Sequence, residues 1–489
     1  MTAATVIRRV SGRRAIIAGA ALLITADVAA GCASSSAGKP APRTAPGVPT
    51  LPTAVPSTRG TTSTSNSSNA SRAAADWTTY DHDAARSGAD TTSPAATDPR
   101  PAWTSPALDG AVYAQPLVIG TTVIAATENN SVYSLNTSTG RINWSRHLAS
   151  PVSGNSLPCG NIDPSGITGT PVADPSTHTL WVVTISAPAA HTLWQIDLDD
   201  GRVLGSRPAD PPGADPATQQ QRGALALAGG TVYIPYGGLY GDCGSYHGLL
   251  VGLSVKSPAD RSMATYETPA EKAGLWAPSG PVIDGAGDLL VATGNGLPPN
   301  VPGDANSVLR LDPSLRVLAR FTAPDFTHLS ETDTDLGSIS PVLLPGGNVL
   351  QVGKEGIGYL LPPDLGSPLE TFHACSGAFG AGVVAGDNIY LSCFDGLYDI
   401  KLTGGNLSGS GRLSSGWTVT GVRPGPPIVA GGVVWTVDRN GALDGFSQST
   451  GTRVYSYPVA VTGSFPTLAA AGGTLFVPDG RRIIAFAGA

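Results

Sequence analysis

One short strand recurs eight times along this chain, and that repetition constrains the fold more than any other feature. It often begins with Pro and ends at a Gly or Asp turn. It reads Pro116-Leu117-Val118-Ile119-Gly120, Pro171-Val172-Ala173-Asp174, Ala226-Leu227-Ala228-Gly229-Gly230 and Pro281-Val282-Ile283-Asp284-Gly285. It returns as Pro341-Val342-Leu343-Leu344-Pro345-Gly346, Val383-Val384-Ala385-Gly386, Pro427-Ile428-Val429-Ala430-Gly431 and Pro466-Thr467-Leu468-Ala469. The starts lie roughly 40–60 residues apart, the period of propeller blades. Second strands rich in β-branched and aromatic residues follow, as at 122–126, 179–184, 231–236, 433–437 and 474–477. In the first repeat, Ser131-Val132-Tyr133-Ser134-Leu135 supplies a third strand, and a fourth runs through Ile142 and Trp144 beyond the Thr139-Gly140 turn. The seventh repeats this with Gly441-Ala442-Leu443-Asp444-Gly445-Phe446, the Ser449-Thr450-Gly451 turn and Val454-Tyr455. Gly turns reverse the chain, and alternating apolar residues bury the sheet faces against neighbouring blades.

The eighth unit ends at Ile483-Ile484-Ala485-Phe486, one strand short. Pro101-Ala102-Trp103-Thr104 supplies the missing strand from the other end of the chain, so the ring closes without an open edge. The pattern therefore predicts an all-β chain: an eight-bladed β-propeller of four-stranded antiparallel blades, closed by an N-terminal strand. With 62 Gly, 42 Pro and 13% charged residues, the composition suits short strands and tight turns rather than long charged helices. A pair of β-sandwiches is the rival arrangement of similar strand content.

The first 31 residues read as a targeting segment. A basic start (Arg8-Arg9, Arg13-Arg14) precedes an apolar run from Ala15 to about Thr25, then Ala29-Ala30-Gly31 and Cys32. Gly12-Arg13-Arg14-Ala15-Ile16-Ile17 resembles a twin-arginine export signal, with the general secretory route as the alternative. Val28-Ala29-Ala30-Gly31-Cys32 looks like a bacterial lipobox with Ala29 at the usual Leu position, which implies a diacylated Cys32. Residues 32–75 are rich in Ser, Thr, Pro and Ala and predict a disordered tether. The expected organisation is thus a signal peptide (1–31), a lipidated cysteine with its tether (32–75) and the propeller (76–489). The protein would sit on the outer face of the cytoplasmic membrane, or be secreted if Cys32 is not lipidated.

The chain carries a formal charge of −7, and its first 31 residues contribute Arg8, Arg9, Arg13 and Arg14 against Asp27, so removing that +3 leaves −10. An acidic body without a Lys/Arg stripe has no electrostatic basis for holding nucleic acid. Apart from Cys32, the cysteines are Cys159, Cys243, Cys375 and Cys393, an even number in an exported chain. Of the three possible pairings the favoured one is Cys375 with Cys393, because 378–385 and 388–393 read as neighbouring strands joined at Gly386-Asp387. Cys159 would then join Cys243 and tie two long loops of adjacent blades. No Cys-x-x-Cys, vicinal Cys-Cys or clustered His motif points to a metal or redox centre.

Three stretches resemble the quinoprotein-like (PQQ-like) propeller superfamily, over roughly Trp77 to Phe486. They are Trp77…Tyr80-Asp81-His82-Asp83…Arg86-Ser87-Gly88, Glu128-Asn129-Asn130-Ser131-Val132-Tyr133-Ser134-Leu135…Thr139-Gly140…Trp144, and Asp333-Thr334-Asp335-Leu336-Gly337…Lys354-Glu355-Gly356-Ile357-Gly358-Tyr359. That superfamily mixes quinone-dependent dehydrogenases with non-catalytic scaffolds such as outer-membrane assembly lipoproteins. The dehydrogenase resemblance implies pyrroloquinoline quinone with calcium on the propeller axis. Lys354 would stand at the quinone-touching cation, but Ser330 and Thr332 occupy the catalytic Asp and the Trp positions, and the vicinal cysteines are missing.

Calcium needs several converging oxygen ligands, and no stretch supplies an obvious set, so no cofactor and no metal are expected. Glu331, Asp333 and Asp335, with Lys354, form the candidate axial ligand site. No catalytic residues are assigned, and neither a Gly-x-Ser-x-Gly elbow nor a Walker-type loop is present. His247 reads as a loop residue fixed by the nearby disulfide. Gly/Pro/polar-rich insertions at 150–167, 237–247 and 295–306 suit a stiffened contact surface at one mouth of the propeller. The expected function is a non-enzymatic, monomeric envelope lipoprotein whose propeller binds a protein or glycan partner. The alternatives are a quinone- and calcium-dependent dehydrogenase of alcohols or sugars, and an envelope hydrolase or lyase with axial carboxylates.

Overall fold

The computed structural model describes residues 76–257, 259–403 and 412–489; the expected signal peptide, Cys32 and tether lie outside these residues. Eight antiparallel sheets, each built around four strands, follow one another along the chain. Their inner strands are Leu117–Ile119, Val172–Asp174, Ala226–Ala228, Val282–Ile283, Val342–Leu343, Ala378–Ala385, Ile428–Ala430 and Ala469–Ala471. All eight coincide with the repeated sequence starts, and blades are numbered 1–8 in this order. The predicted closing strand is also present: Arg100–Thr104 pairs antiparallel with Arg482–Ala487 and completes blade 8.

Two sheets carry an additional short strand: Ala89–Asp90 runs parallel to the inner strand of blade 7, and Gln219–Gln220 extends blade 3. One short α-helix, Phe326–Thr332, interrupts the all-β pattern between blades 4 and 5. It ends at Asp333, which adopts a left-handed φ of 54°. Among the described residues no helix is long and apolar enough to cross a membrane.

The core lies between blades. Leu117, Ile124 and Val132 of blade 1 pack with Leu180, Val182 and Ile196 of blade 2 in one such layer. The middle strands are buried along nearly their whole length, so successive side chains give every blade two apolar faces and a blade is stable only between two others.

A repeated indole contact fixes the seams. Trp103, on the closing strand, lies over Gly140 in a turn of blade 1 and donates its indole N–H to Thr137 O at 2.7 Å. Trp144 of blade 1 lies over Gly201 of blade 2 and donates to Leu198 O at 3.1 Å. Trp417 of blade 6 repeats this on Gly451 of blade 7, donating to Gln448 O at 3.0 Å. At Gly140, φ is +66° and the indole occupies the volume a Cβ would need. The turn therefore needs glycine for two separate reasons, backbone conformation and contact with the ring. The expected disulfides are both formed, Cys159–Cys243 and Cys375–Cys393.

These contacts separate two costs. Gly120 also has a positive φ, +54°, but open space where a Cβ would project. Gly120→Ala should therefore lose about 1 kcal/mol, the left-handed penalty alone. Gly140→Ala should lose about 3 kcal/mol, because overpacking against Trp103 is added. Urea unfolding of the two variants checks the difference.

Candidate functional site

The antiparallel strand order decides which loops meet. In each blade the connection between second and third strands, and the link from the outer strand to the next inner strand, emerge at the same end. That end is called the mouth. It collects the insertions 150–167, 237–247 and 295–306, together with the Lys354 turn and the 323–341 link that carries Glu331, Asp333 and Asp335.

The first two insertions are joined by Cys159–Cys243. Val152 pairs with Ser165 across the first, and Gly154 N donates to Asp163 at 2.8 Å. In the second, Tyr246 donates to Asp242 at 2.6 Å and Lys272 Nζ reaches Asp242 O at 2.8 Å. The third is pinned by the Glu271–Leu297 bridge and by Ala270 N donating to Gly303 O at 2.8 Å. Tyr240, Leu297, Val301 and, in blade 6, Phe394 are large apolar side chains left exposed on these mouth loops.

Residues 77–90 fill the axis beneath the mouth. Trp77 pairs with Val118 in blade 1, and Thr78 O accepts from Ala173 N in blade 2 at 2.8 Å. Arg86 donates to Leu225 O in blade 3 at 2.9 Å and to Pro281 O at the entrance to blade 4 at 3.2 Å. Ser87 O and Gly88 O accept from Val384 N in blade 6 and Val429 N in blade 7. A single segment that touches the inner strands of six blades has to run through the centre of the ring. Gln115 ties it in place: its Oε1 accepts from Trp77 and from the Asp81 amide, and its Nε2 donates to Leu468 O in blade 8. Burial pushes Arg86 down to about 10, against the pull of Asp81. Burial likewise pushes the Asp81 carboxyl up, with Arg86 opposing.

The predicted axial residues meet in part. Lys354 Nζ lies 2.6 Å from Asp335 and 2.9 Å from Asp333, and Asn295 donates to Asp333 at 3.1 Å. Asp335 is wholly buried and also accepts from Ser338 at 2.8 Å. Burial alone would lower the Lys354 ammonium, but Asp335 and Asp333 carry it above its ordinary value. Burial pushes the Asp335 carboxyl up and Lys354 holds it back. Glu331 stands exposed on the short helix and makes no ion pair or hydrogen bond among the described residues. Ser330 accepts from Asn306 at 2.9 Å and from Gly296 N at 3.3 Å, tying the helix to the 295–306 insertion, while Thr332 donates back to His328 O within the helix. His247 begins a strand and shares its Nδ1 with Thr268 O at 2.7 Å.

A second polar set, which the sequence did not single out as a site, comes from the links into blades 1 and 3 and the first mouth turn. Arg222 lies over the Phe465 ring at 5.4 Å and has neither an ion pair nor a hydrogen bond among the described residues. Its charge is felt by Tyr80, Glu128 and Tyr113. Glu128, 2% exposed, accepts from Gly166 N at 2.7 Å and Thr168 at 3.1 Å through one oxygen, while the other has no partner. Burial raises this carboxyl from 4.5 to about 7. The Tyr80 hydroxyl is also buried without a partner. Glu128 and Tyr80 belong to the stretches quoted above for the family resemblance; nothing local marked Arg222.

Comparison with known proteins places this geometry. The sequence model of the outer membrane protein assembly factor BamB matches residues 95–303. No curated protein matches the chain by sequence. Among solved structures, a europium-containing methanol dehydrogenase superposes with a TM-score of 0.62 at 12% identity, covering 82% of this chain and 89% of that one. The quinohemoprotein alcohol dehydrogenase from Comamonas testosteroni gives 0.64 at 14% identity, with 85% and 80% covered. BamB from Moraxella catarrhalis gives 0.55 at 13% identity, with 80% and 99% covered. The family model covers less than half of the chain, and the structural likeness, at 12–14% identity, shows the propeller fold that the motifs implied.

The residues present fit a quinone and its metal poorly. Lys354 is already neutralised by two carboxylates, and the cysteines pair across 84 and 18 residues of sequence rather than side by side. Among the described residues no three His, Cys, Asp or Glu side chains converge as a metal-ligand set. No redox step is derived for this mouth.

Two outcomes follow for the mouth. Lys354→Ala strands a buried carboxylate and should cost about 3 kcal/mol in denaturant unfolding, most of it recovered when Asp335→Asn is added. Glu128 has a folded-state pKa above its unfolded value, so its contribution to stability is present below about 4.5 and lost as pH rises through about 7. Glu128→Gln should flatten that part of the stability–pH curve and raise stability at pH 8 by about 3 kcal/mol.

Proposed function

We propose that this protein is a non-enzymatic scaffold of the cell envelope, exported, anchored through a lipidated Cys32 and held off the membrane by residues 32–75. The propeller of residues 76–489 docks a partner protein or glycan on its mouth. The observation that carries this reading is the Cys159–Cys243 bridge between insertions of neighbouring blades. A disulfide that stiffens exposed loops reduces the entropy lost on docking. The surface it supports presents Tyr240 at 73% exposure, Leu297 at 41% and Val301 at 46%, an aromatic and aliphatic set suited to the centre of an interface. The family model's assembly-factor description supports the same reading.

One observation favours the second reading, a quinone-dependent dehydrogenase: Arg222 holds an uncommitted guanidinium over Phe465, within electrostatic reach of the buried Glu128 carboxyl. An anionic ligand would find a cation there. A hydrolase or lyase using Asp333 and Asp335 has less support, because Lys354 engages both.

Proximity cross-linking in cells tests the scaffold. Tyr240→Glu combined with Leu297→Glu should abolish a partner cross-link that Thr121→Glu, in a turn at the opposite end of the propeller, leaves intact. Equal loss, or no loss, in both would sink the docking surface. Cys32→Ser should move the protein from the membrane fraction to the soluble envelope or medium; unchanged membrane retention would contradict the anchor.

A further inference from the structure

The seam between blades 5 and 6 differs from the seams closed by tryptophan. Blade 5 ends in the outer strand Glu370–His373, which carries no indole. Its Phe372 ring is turned onto Gly358 of its own blade instead of onto a turn of blade 6. A groove of 410 Å³ opens there, within the size range of small-ligand sites.

Asp399 lines this groove from the third strand of blade 6. The pairing with the outer strand shifts register between Tyr398 and Ile400, which takes Asp399 off the ladder. Its carboxylate closes over Gly416, where any side chain would collide with it. The residue is 3% exposed, and neither carboxylate oxygen makes a hydrogen bond of good geometry, the Trp417 amide being a nearby donor that falls short of one. The Lys401 charge and the Trp417 amide only temper the burial penalty, which pushes the carboxyl upward. A buried carboxylate without well-placed donors is costly, and is relieved by taking up a proton or by a donor from outside the chain.

The rest of the lining indicates what that donor is. Glu370 is the other carboxylate, and its Oε2 already accepts the Leu413 amide at 3.0 Å. Two carboxylates, one of them engaged, are too few for a calcium site. A lone ammonium would satisfy Asp399 and leave the remaining surface unused. That surface combines the hydroxyls of Ser415 and Thr418 with the apolar faces of Tyr398 and Ile400. A sugar ring has the matching duality: adjacent hydroxyls that donate as a pair to one carboxylate, and a C–H face that packs on aromatic and aliphatic carbon.

We propose that the groove between the outer strands of blades 5 and 6 is a saccharide-binding site, with Asp399 accepting two hydroxyls of one pyranose unit. The outer strands lie farthest from the axis, so this site is separate from the mouth and does not depend on the docking surface proposed there.

The full-length protein titrated by calorimetry with glucose, galactose, mannose and N-acetylglucosamine tests it. At least one sugar should bind saturably, and Asp399→Asn, which keeps the shape of the side chain, should weaken it on the order of tenfold or more. Ser415→Trp, which fills the groove from its exposed side, should abolish binding and keeps the test available if Asp399→Asn fails to fold. Binding of none of these sugars, or binding unchanged in both variants, overturns the proposal. So does saturable binding of spermidine or calcium that requires Asp399, since that would make the groove a cation site.

Discussion

The ring depends on an indole laid flat on a glycine. A propeller blade buries apolar residues on both faces and cannot be stable alone, so the molecule is held by what locks each blade to the next. At three seams that lock is a tryptophan whose ring covers a left-handed Gly and whose N–H satisfies a carbonyl of the same turn. The Trp103 contact matters most, because it sits on the strand that joins the two ends of the chain. The apolar faces stacked between blades supply most of the burial energy. The indole, wedged where no Cβ can go, sets the seam's position.

Closing a ring of eight sheets creates an axis that has to be filled. Here the chain fills it with its own residues 77–90, a polar segment whose backbone and Arg86 guanidinium find partners in six blades. This arrangement places ionisable groups, Asp81 and Arg86, in the most buried part of the molecule, beneath a mouth that still holds Arg222, Glu128 and the Lys354–Asp335 pair. A floor of this kind leaves chemistry to the mouth alone. The mouth carries loops from early blades, two of them covalently joined by Cys159–Cys243, and exposes Tyr240, Leu297 and Val301. That balance favours contact with another molecule over a reaction at the axis.

The repeat was legible because each inner strand is a short local pattern with its own turn, and the closing strand followed from counting one strand too few in the last unit. The Cys375–Cys393 pair was legible for the same reason, since its strands are adjacent in sequence. What remained hidden depends on closure. Arg222 comes within electrostatic reach of Glu128, Tyr113 and Tyr80 from segments far apart in the chain, and no local pattern foretells which of them points inward. The axial path of residues 77–90 has no local signature beyond the Tyr80-Asp81-His82-Asp83 motif, because its partners are spread over six blades. The helix Phe326–Thr332 explains the acidic cluster's split: Asp333 and Asp335 follow its left-handed end and turn to Lys354, while Glu331 stays on its exposed side.

The central claim is that the mouth is a docking surface and not a quinone site. Titration of the purified protein with pyrroloquinoline quinone and calcium, following quinone absorbance and melting temperature together, addresses it most directly. The account predicts no saturable change in either signal, because Lys354 is held by Asp333 and Asp335 and no calcium-ligand set converges among the described residues. A saturable shift at micromolar quinone that disappears in Arg222→Ala or Lys354→Ala would contradict it and make the mouth a cofactor site.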